Sequence, residues 1–198
     1  MGVSNVIEYV TMSSEGNATD FGDFSAARDQ LGSCGNTTRG VFSGGLYVGL
    51  GTSGNVASNV IDYITIASTG NVTDFGDLTV GRQSVASGVA SSSTRGLTFG
   101  GYISSYAYQN VIDYITIAST GNATDFGDLT SIRALIFSTS NATKAVCGRD
   151  SWIYDNNIDV VTIASTGNAT DFGDLVTGLR GQVGACGGQG GLTAWQDT

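Results

Sequence analysis

Asn59-Val-Ile-Asp-Tyr-Ile-Thr-Ile-Ala-Ser-Thr-Gly-Asn-Val-Thr-Asp-Phe-Gly-Asp-Leu78 is one of four copies of the same sentence in a 198-residue chain. It opens at Asn5 as NVIEYVTMSSEGNATDFGDF, returns at Asn110 as NVIDYITIASTGNATDFGDL and closes, shortened, from Asn157. The glycine of the shared Gly-Asn pair falls at Gly16, Gly70, Gly121 and Gly167. A spacing of roughly 50 residues marks an array of like units, each too small to bury a core alone. Read at period two, residues 60–67 set Ile61, Tyr63 and Thr65 on one side and Val60, Asp62, Ile64 and Ile66 on the other, as in a β-strand. Gly70-Asn71, residues tolerant of positive φ, predict a tight hairpin turn. Residues 73–78 then return, carrying Phe75.

A third strand, over 84–90, is made of small side chains and has counterparts at 30–35, 135–141 and 182–187. Such a strand suits a place where several sheets crowd together. A fourth, over 95–101, is matched at 39–45 and, degraded, at 144–148. No segment shows a long amphipathic helical period. The reading is all-β: one domain over 1–198, with repeats near 5–58, 59–109, 110–156 and 157–198.

Composition bounds the function. Apolar residues at 40% suffice for a shared core, and the thirty glycines recur at fixed places, as turns and close approaches do. A net charge of −9 argues against nucleic acid and against anionic membrane surfaces as partners. No apolar run nears the roughly 18 residues that span a bilayer. The opening MGVSNVIEYV lacks the basic and apolar segments of a secretory leader, and Val6 stands where a myristoylation motif needs Ser or Thr. Cys34, Cys147 and Cys186 are odd in number and lack paired spacing, which predicts small buried hydrophobes.

One order of features repeats: a strand ending in Gly-Gly (44–45, 100–101), a strand with Tyr (Tyr9, Tyr63, Tyr114), a turn, an aromatic (Phe21, Phe75, Phe126, Phe172) and an arginine (Arg28, Arg82, Arg133, Arg180). In this the chain resembles kelch repeats over nearly its whole length, with Phe where those favour Trp and no Gly-Gly in the third copy. Its wording is similar to kelch-like repeat proteins of marine bacteriophages, cyanophages included. The resemblance implies β-propeller blades of four antiparallel strands, the small-residue strand innermost. It also implies a virion or a phage-infected cell as the location. The chain starts with two outer strands (5–24) and ends with two inner ones (about 182–195). Pairing the N-terminal outer strands with the C-terminal inner strands gives four blades. A single monomeric ring is expected, with two chains sharing an eight-bladed ring as the rival.

Catalysis finds little material. The chain has no His, hence no Ser-His or Cys-His pair and no His metal ligand. Each copy carries paired aspartates, Asp20/Asp23, Asp74/Asp77, Asp125/Asp128 and Asp171/Asp174, beside Glu8, Asp62, Asp113 and Asp159 on the strand. Two carboxylates on a tight loop suit calcium, or a glycosidase pair. Repetition in every copy favours turn capping and a solvated rim instead, because an active site is built once. No cofactor is expected. The recurring arginines, with Arg39 and Arg95, are expected to bond carbonyls or an aspartate of the next turn. Six Asn-x-Thr sites (Asn17, Asn36, Asn71, Asn122, Asn141, Asn168) are mostly the Gly-Asn turn itself.

Function is sought where the copies differ. The variable loops and the tail hold Tyr47, Tyr102, Tyr106, Tyr108, Arg149, Asp150, Trp152, Tyr154 and Trp195. Aromatics with polar handles on variable loops are what recognition surfaces use. The expected role is a non-enzymatic binding module for a glycan or a protein. A self-assembling virion part is the alternative. A glycan-active enzyme would have to rest on Asp150 and Asp155, the only unrepeated acids near the aromatics.

Overall fold

The computed structural model describes residues 4–47, 56–85, 89–148, 156–176, 185–187 and 190–192. The chain runs through β1 (Val6–Tyr9), β2 (Thr19–Asp23), β3 (Arg28–Asp29), β4 (Gly32–Gly35), β5 (Arg39–Ser43), β6 (Leu46–Tyr47) and β7 (Val56–Ala57). It continues through β8 (Val60–Thr65), β9 (Thr73–Asp77), β10 (Val89–Ser91), β11 (Arg95–Phe99), β12 (Gln109–Thr116) and β13 (Thr124–Arg133). The last strands are β14 (Phe137–Ser140), β15 (Lys144–Gly148), β16 (Asn157–Thr162), β17 (Thr170–Asp174), β18 (Ala185–Gly187) and β19 (Gly190–Leu192).

All ladders are antiparallel, and among the described residues there is no helix. Three four-stranded sheets repeat one order: β4-β5-β8-β9, β10-β11-β12-β13 and β14-β15-β16-β17. Two half-units flank them, β1-β2 and β18-β19, each a separate two-stranded sheet. The small β6-β7 hairpin pairs with β3.

The second full sheet is buried on both faces, and the first and third are buried on the face turned toward it. Ile61, Val41, Phe75 and Leu78 of the first pack against Ile115 and Ile117 of the second. Leu97, Ile112, Phe126 and Leu129 of the second pack against Val161, Ile163 and Ala169 of the third. The period-two alternation is therefore kept, with one side turned to the following unit and the other to the preceding one. The small-residue strands stand side by side, as expected from crowding. Ser91 Oγ donates to Gly35 O at 3.2 Å, and Ser140 Oγ donates to Ser91 O at 2.8 Å. Gly96 packs on the Cys34 sulfur, where a Cβ would collide.

The Gly-Asn pair does not form the hairpin turn. The tight turn lies earlier, closed by Ser68 N donating to Thr65 O at 3.1 Å, and likewise by Ser119 to Thr116 and Ser165 to Thr162. Gly70-Asn71-Val72 instead runs along the outermost strand of the preceding unit. Gly70 N donates to Phe21 O at 2.7 Å, Val72 N to Asp23 O at 3.0 Å, and Asp23 N to Asn71 Oδ1 at 3.0 Å. The same clasp recurs from Gly121-Asn122-Ala123 onto Phe75 and Asp77, and from Gly167-Asn168-Ala169 onto Phe126 and Asp128. The motif is fixed by what it grips in the neighbouring unit, a long-range demand that a local turn rule misses.

Candidate functional site

Two sets of residues are built with more polar precision than the rest. The first is a buried charge clamp at the link into each full sheet. Arg28 Nη1 donates to Gly44 O at 2.9 Å and Val60 O at 3.0 Å, while Nη2 meets Asp62. Arg82 repeats this with Gly100 O at 2.7 Å, Val111 O at 2.8 Å and Asp113 Oδ2 at 2.5 Å. Arg133 reaches Asn157 O at 3.0 Å and Asp159 Oδ1 at 3.4 Å. The carboxylates also accept from the link itself: Thr79 Oγ1 to Asp113 Oδ1 and Thr130 Oγ1 to Asp159 Oδ1, both at 2.6 Å. Burial pushes the Arg82 guanidinium below its ordinary pKa, and the Asp113 charge and hydrogen bond oppose that.

The arginines thus bond carbonyls, as expected, but their acid partner sits on a strand of the full sheet that the link leads into and not on a turn. Asp62, Asp113 and Asp159 do not solvate a rim; they are buried to 1% exposure or less. Glu8, at the equivalent position of β1, is exposed. Arg180, its counterpart in the repeat, lies outside the described residues. Arg39 and Arg95 form a second strut. Each lies over a tyrosine ring (Tyr63 at 4.5 Å, Tyr114 at 4.7 Å from the centroid) and donates to Ile117 O or Ile163 O in the next unit.

The paired aspartates of the Asp-Phe-Gly-Asp element stay on the outer strands. Asp125 Oδ1 accepts from Gly127 N at 3.1 Å, and Asp171 Oδ1 from Gly173 N at 2.9 Å, so these two bond the backbone of their own strands rather than cap a turn. Asp20 and Asp74 are exposed, and Asp23, Asp77 and Asp128 present their backbone N–H to the Gly-Asn clasp. Among the described residues no three His, Cys, Asp or Glu side chains converge. Phe21, Phe75 and Phe126 are buried, whereas Phe172 is 60% exposed, since among the described residues no following hairpin covers it. Burial pushes the Cys34 thiol up to about 12 and the Cys147 thiol higher, with Asp159 adding to the latter. Neither sulfur is a thiolate nucleophile near neutral pH.

The second set is the tyrosine cluster. Tyr102 forms bridges with Gln83 and Tyr108, so one short three-way ladder carries two of the rings. The Tyr102 and Tyr108 rings meet edge to face with centroids 5.2 Å apart, and Tyr106 stands 6.2 Å from Tyr102. A turn closed by Tyr106 N donating to Ile103 O at 2.8 Å holds Tyr106 at φ 60°, and that ring is 62% exposed. A left-handed non-glycine residue costs on the order of 1–3 kcal/mol, which the surrounding turn must offset. The neighbouring loop carries Tyr47, paired with Arg28 and Val56 in the β3-β6-β7 ladder. Ser104 Oγ joins the two loops by accepting from Ala57 N at 2.9 Å. Sequence reasoning picked out these tyrosines but not the Ser104 bridge or the strained Tyr106 backbone. Arg149, Asp150, Trp152, Tyr154 and Trp195 lie outside the described residues.

The chain matches no protein-family model and no curated protein. Among the described residues, no helix is long and apolar enough to cross a membrane.

Proposed function

We propose that the chain is a kelch-like β-propeller array acting as a non-enzymatic binding module. Its tyrosine face takes a glycan or a partner protein, and no cofactor enters the reading. Three blades are the full four-stranded sheets. The fourth is completed when the β19 edge takes up the β1 edge, joining the C-terminal inner pair to the N-terminal outer pair. The resemblance to kelch-like repeats of marine phages supports a virion or host-recognition setting.

The observation that carries the binding reading is Tyr106, an exposed ring on a strained backbone beside the packed Tyr102–Tyr108 pair. Flat aromatic faces with a hydroxyl handle stack on the apolar face of a sugar and lose little side-chain entropy in doing so. Screening on an oligosaccharide panel, followed by titration of the best binder, tests it. Tyr106→Ala is expected to weaken binding at least tenfold with unchanged circular dichroism. Equal binding by parent and variant contradicts the assignment. A second reading, a self-assembling virion part, draws on a different observation: both ends of the array are open.

A further inference from the structure

The joints between full sheets show what each unit demands of its neighbour. The outgoing face offers an apolar trio, Val41, Ile61 and Phe75 in one sheet and Leu97, Ile112 and Phe126 in the next. The incoming unit covers it with Ile115 and Ile117, or with Val161, Ile163 and Ala169, and locks the outer strand with the Gly-Asn clasp. The outer-strand glycine makes room for the clasp. A Cβ on Gly76 or Gly127 would lie 2.5 Å from the carbonyl oxygen of Gly121 or Gly167, respectively.

The two ends of the array carry the unmatched halves of this same joint. On the third full sheet the equivalent trio is Val146, Ile158 and Phe172, and it lines a cleft of about 370 Å3 together with Lys144. Beside it, a Cβ on Gly173 would meet nothing within 4 Å. Lys144 stands where Arg39 and Arg95 reach across to a neighbouring hairpin carbonyl. At the other end, the β1-β2 hairpin holds the incoming set: Val10, 60% exposed, Met12, 98% exposed, and the exposed Ala18 of Gly16-Asn17-Ala18. The counterparts of Met12 in the second and third full sheets, Ile117 and Ile163, are exposed by no more than 1%, and those of Val10, Ile115 and Val161, by no more than 8%; in the first full sheet Ile66 is 49% exposed.

We propose that the β1-β2 hairpin of one copy docks into the Val146–Ile158–Phe172 cleft of a second copy, head to tail. Met12 and Val10 cover the apolar trio, and Gly16-Asn17-Ala18 clasps the outer edge at Phe172–Asp174. The cleft and the hairpin stand open in one and the same chain, so its own hairpin does not fill its own cleft. Pairing two copies satisfies both halves without a new kind of contact. Such a contact is heterologous, and it closes when the rotation per unit allows. Two copies of four units make eight blades, inside the range of known propellers. The inference rests on the propeller reading but is independent of the tyrosine face.

Native mass spectrometry at micromolar concentration tests it. The parent is expected at about twice the 20.2 kDa chain mass. Met12→Asp and Phe172→Asp are each expected at the single-chain mass with unchanged circular dichroism, because both side chains are largely solvated within one chain. Mixing the two variants restores the doubled mass, since one of the two joints in the mixed pair then has both natural halves. A single-chain mass for the parent, as closure within one chain gives, overturns the proposal. So does a mixture of two folded variants that stays monomeric. Tyr106→Ala keeps the doubled mass, which separates failure of this inference from failure of the binding reading.

Discussion

Arg82→Ala is expected to cost ~3–5 kcal/mol, the usual result of removing one partner from a buried ion pair. That is a large share of a domain stability of ~5–15 kcal/mol. The cause is what stays behind. Asp113 is left at 1% exposure without its guanidinium partner, and the carbonyls of Gly100 and Val111 both lose a bond to the same guanidinium nitrogen. Arg82→Lys keeps the charge but loses the fork that reaches two carbonyls and a carboxylate at once, so it falls between parent and alanine. Urea titration followed by tyrosine fluorescence reads the order. A midpoint for Arg82→Ala equivalent to less than ~1 kcal/mol, the worth of a surface pair, contradicts the clamp.

Gly76→Ala is the second large effect, and it is best read against Gly70→Ala. Both glycines have positive φ, 144° and 155°, so both variants carry backbone strain. Only at Gly76 does the new Cβ meet backbone, 2.5 Å from Gly121 O, whereas at Gly70 nothing lies within 4 Å. Gly76→Ala must therefore also part the clasp and expose its three hydrogen bonds, two between backbones and one to the Asn122 side chain, each worth ~1 kcal/mol. The expected difference between the two variants is ~2–3 kcal/mol in urea midpoints at equal slope. Equal losses would mean that the Gly121 segment does not press on Gly76.

Much of the architecture was legible because it is periodic. The strand alternation at 60–65, the small-residue strands and the Arg28, Arg82, Arg133 and Arg180 series each state a demand four times, and local strand chemistry explains the first two. What escaped is the part set by neighbours. Asp62 reads as a polar residue on an alternating strand, and nothing in its flanks tells that an arginine from the preceding link will bury it. Gly70-Asn71 reads as a turn because its composition suits one; its real partner is the backbone of Phe21 and Asp23, some 48 positions away. Phe172 reads like Phe75 in sequence, yet it is 60% exposed, because among the described residues no following hairpin covers it. The tyrosine face was legible as composition. The strained turn at Tyr106 was not, since Ser104-Ser105-Tyr106 carries no residue that favours positive φ.

The central claim is that the repeated Gly-Asn pair clasps the preceding unit. Residue-resolved amide hydrogen exchange at Gly70, Gly121 and Gly167 tests it most directly. The account predicts that all three amides, bonded to Phe21 O, Phe75 O and Phe126 O at 2.7 Å, exchange orders of magnitude more slowly than an open turn and as a group. Exchange of these three at the rate of an unstructured peptide, with the strand amides of β8, β12 and β16 still protected, would show hairpin tips that grip nothing and would contradict it.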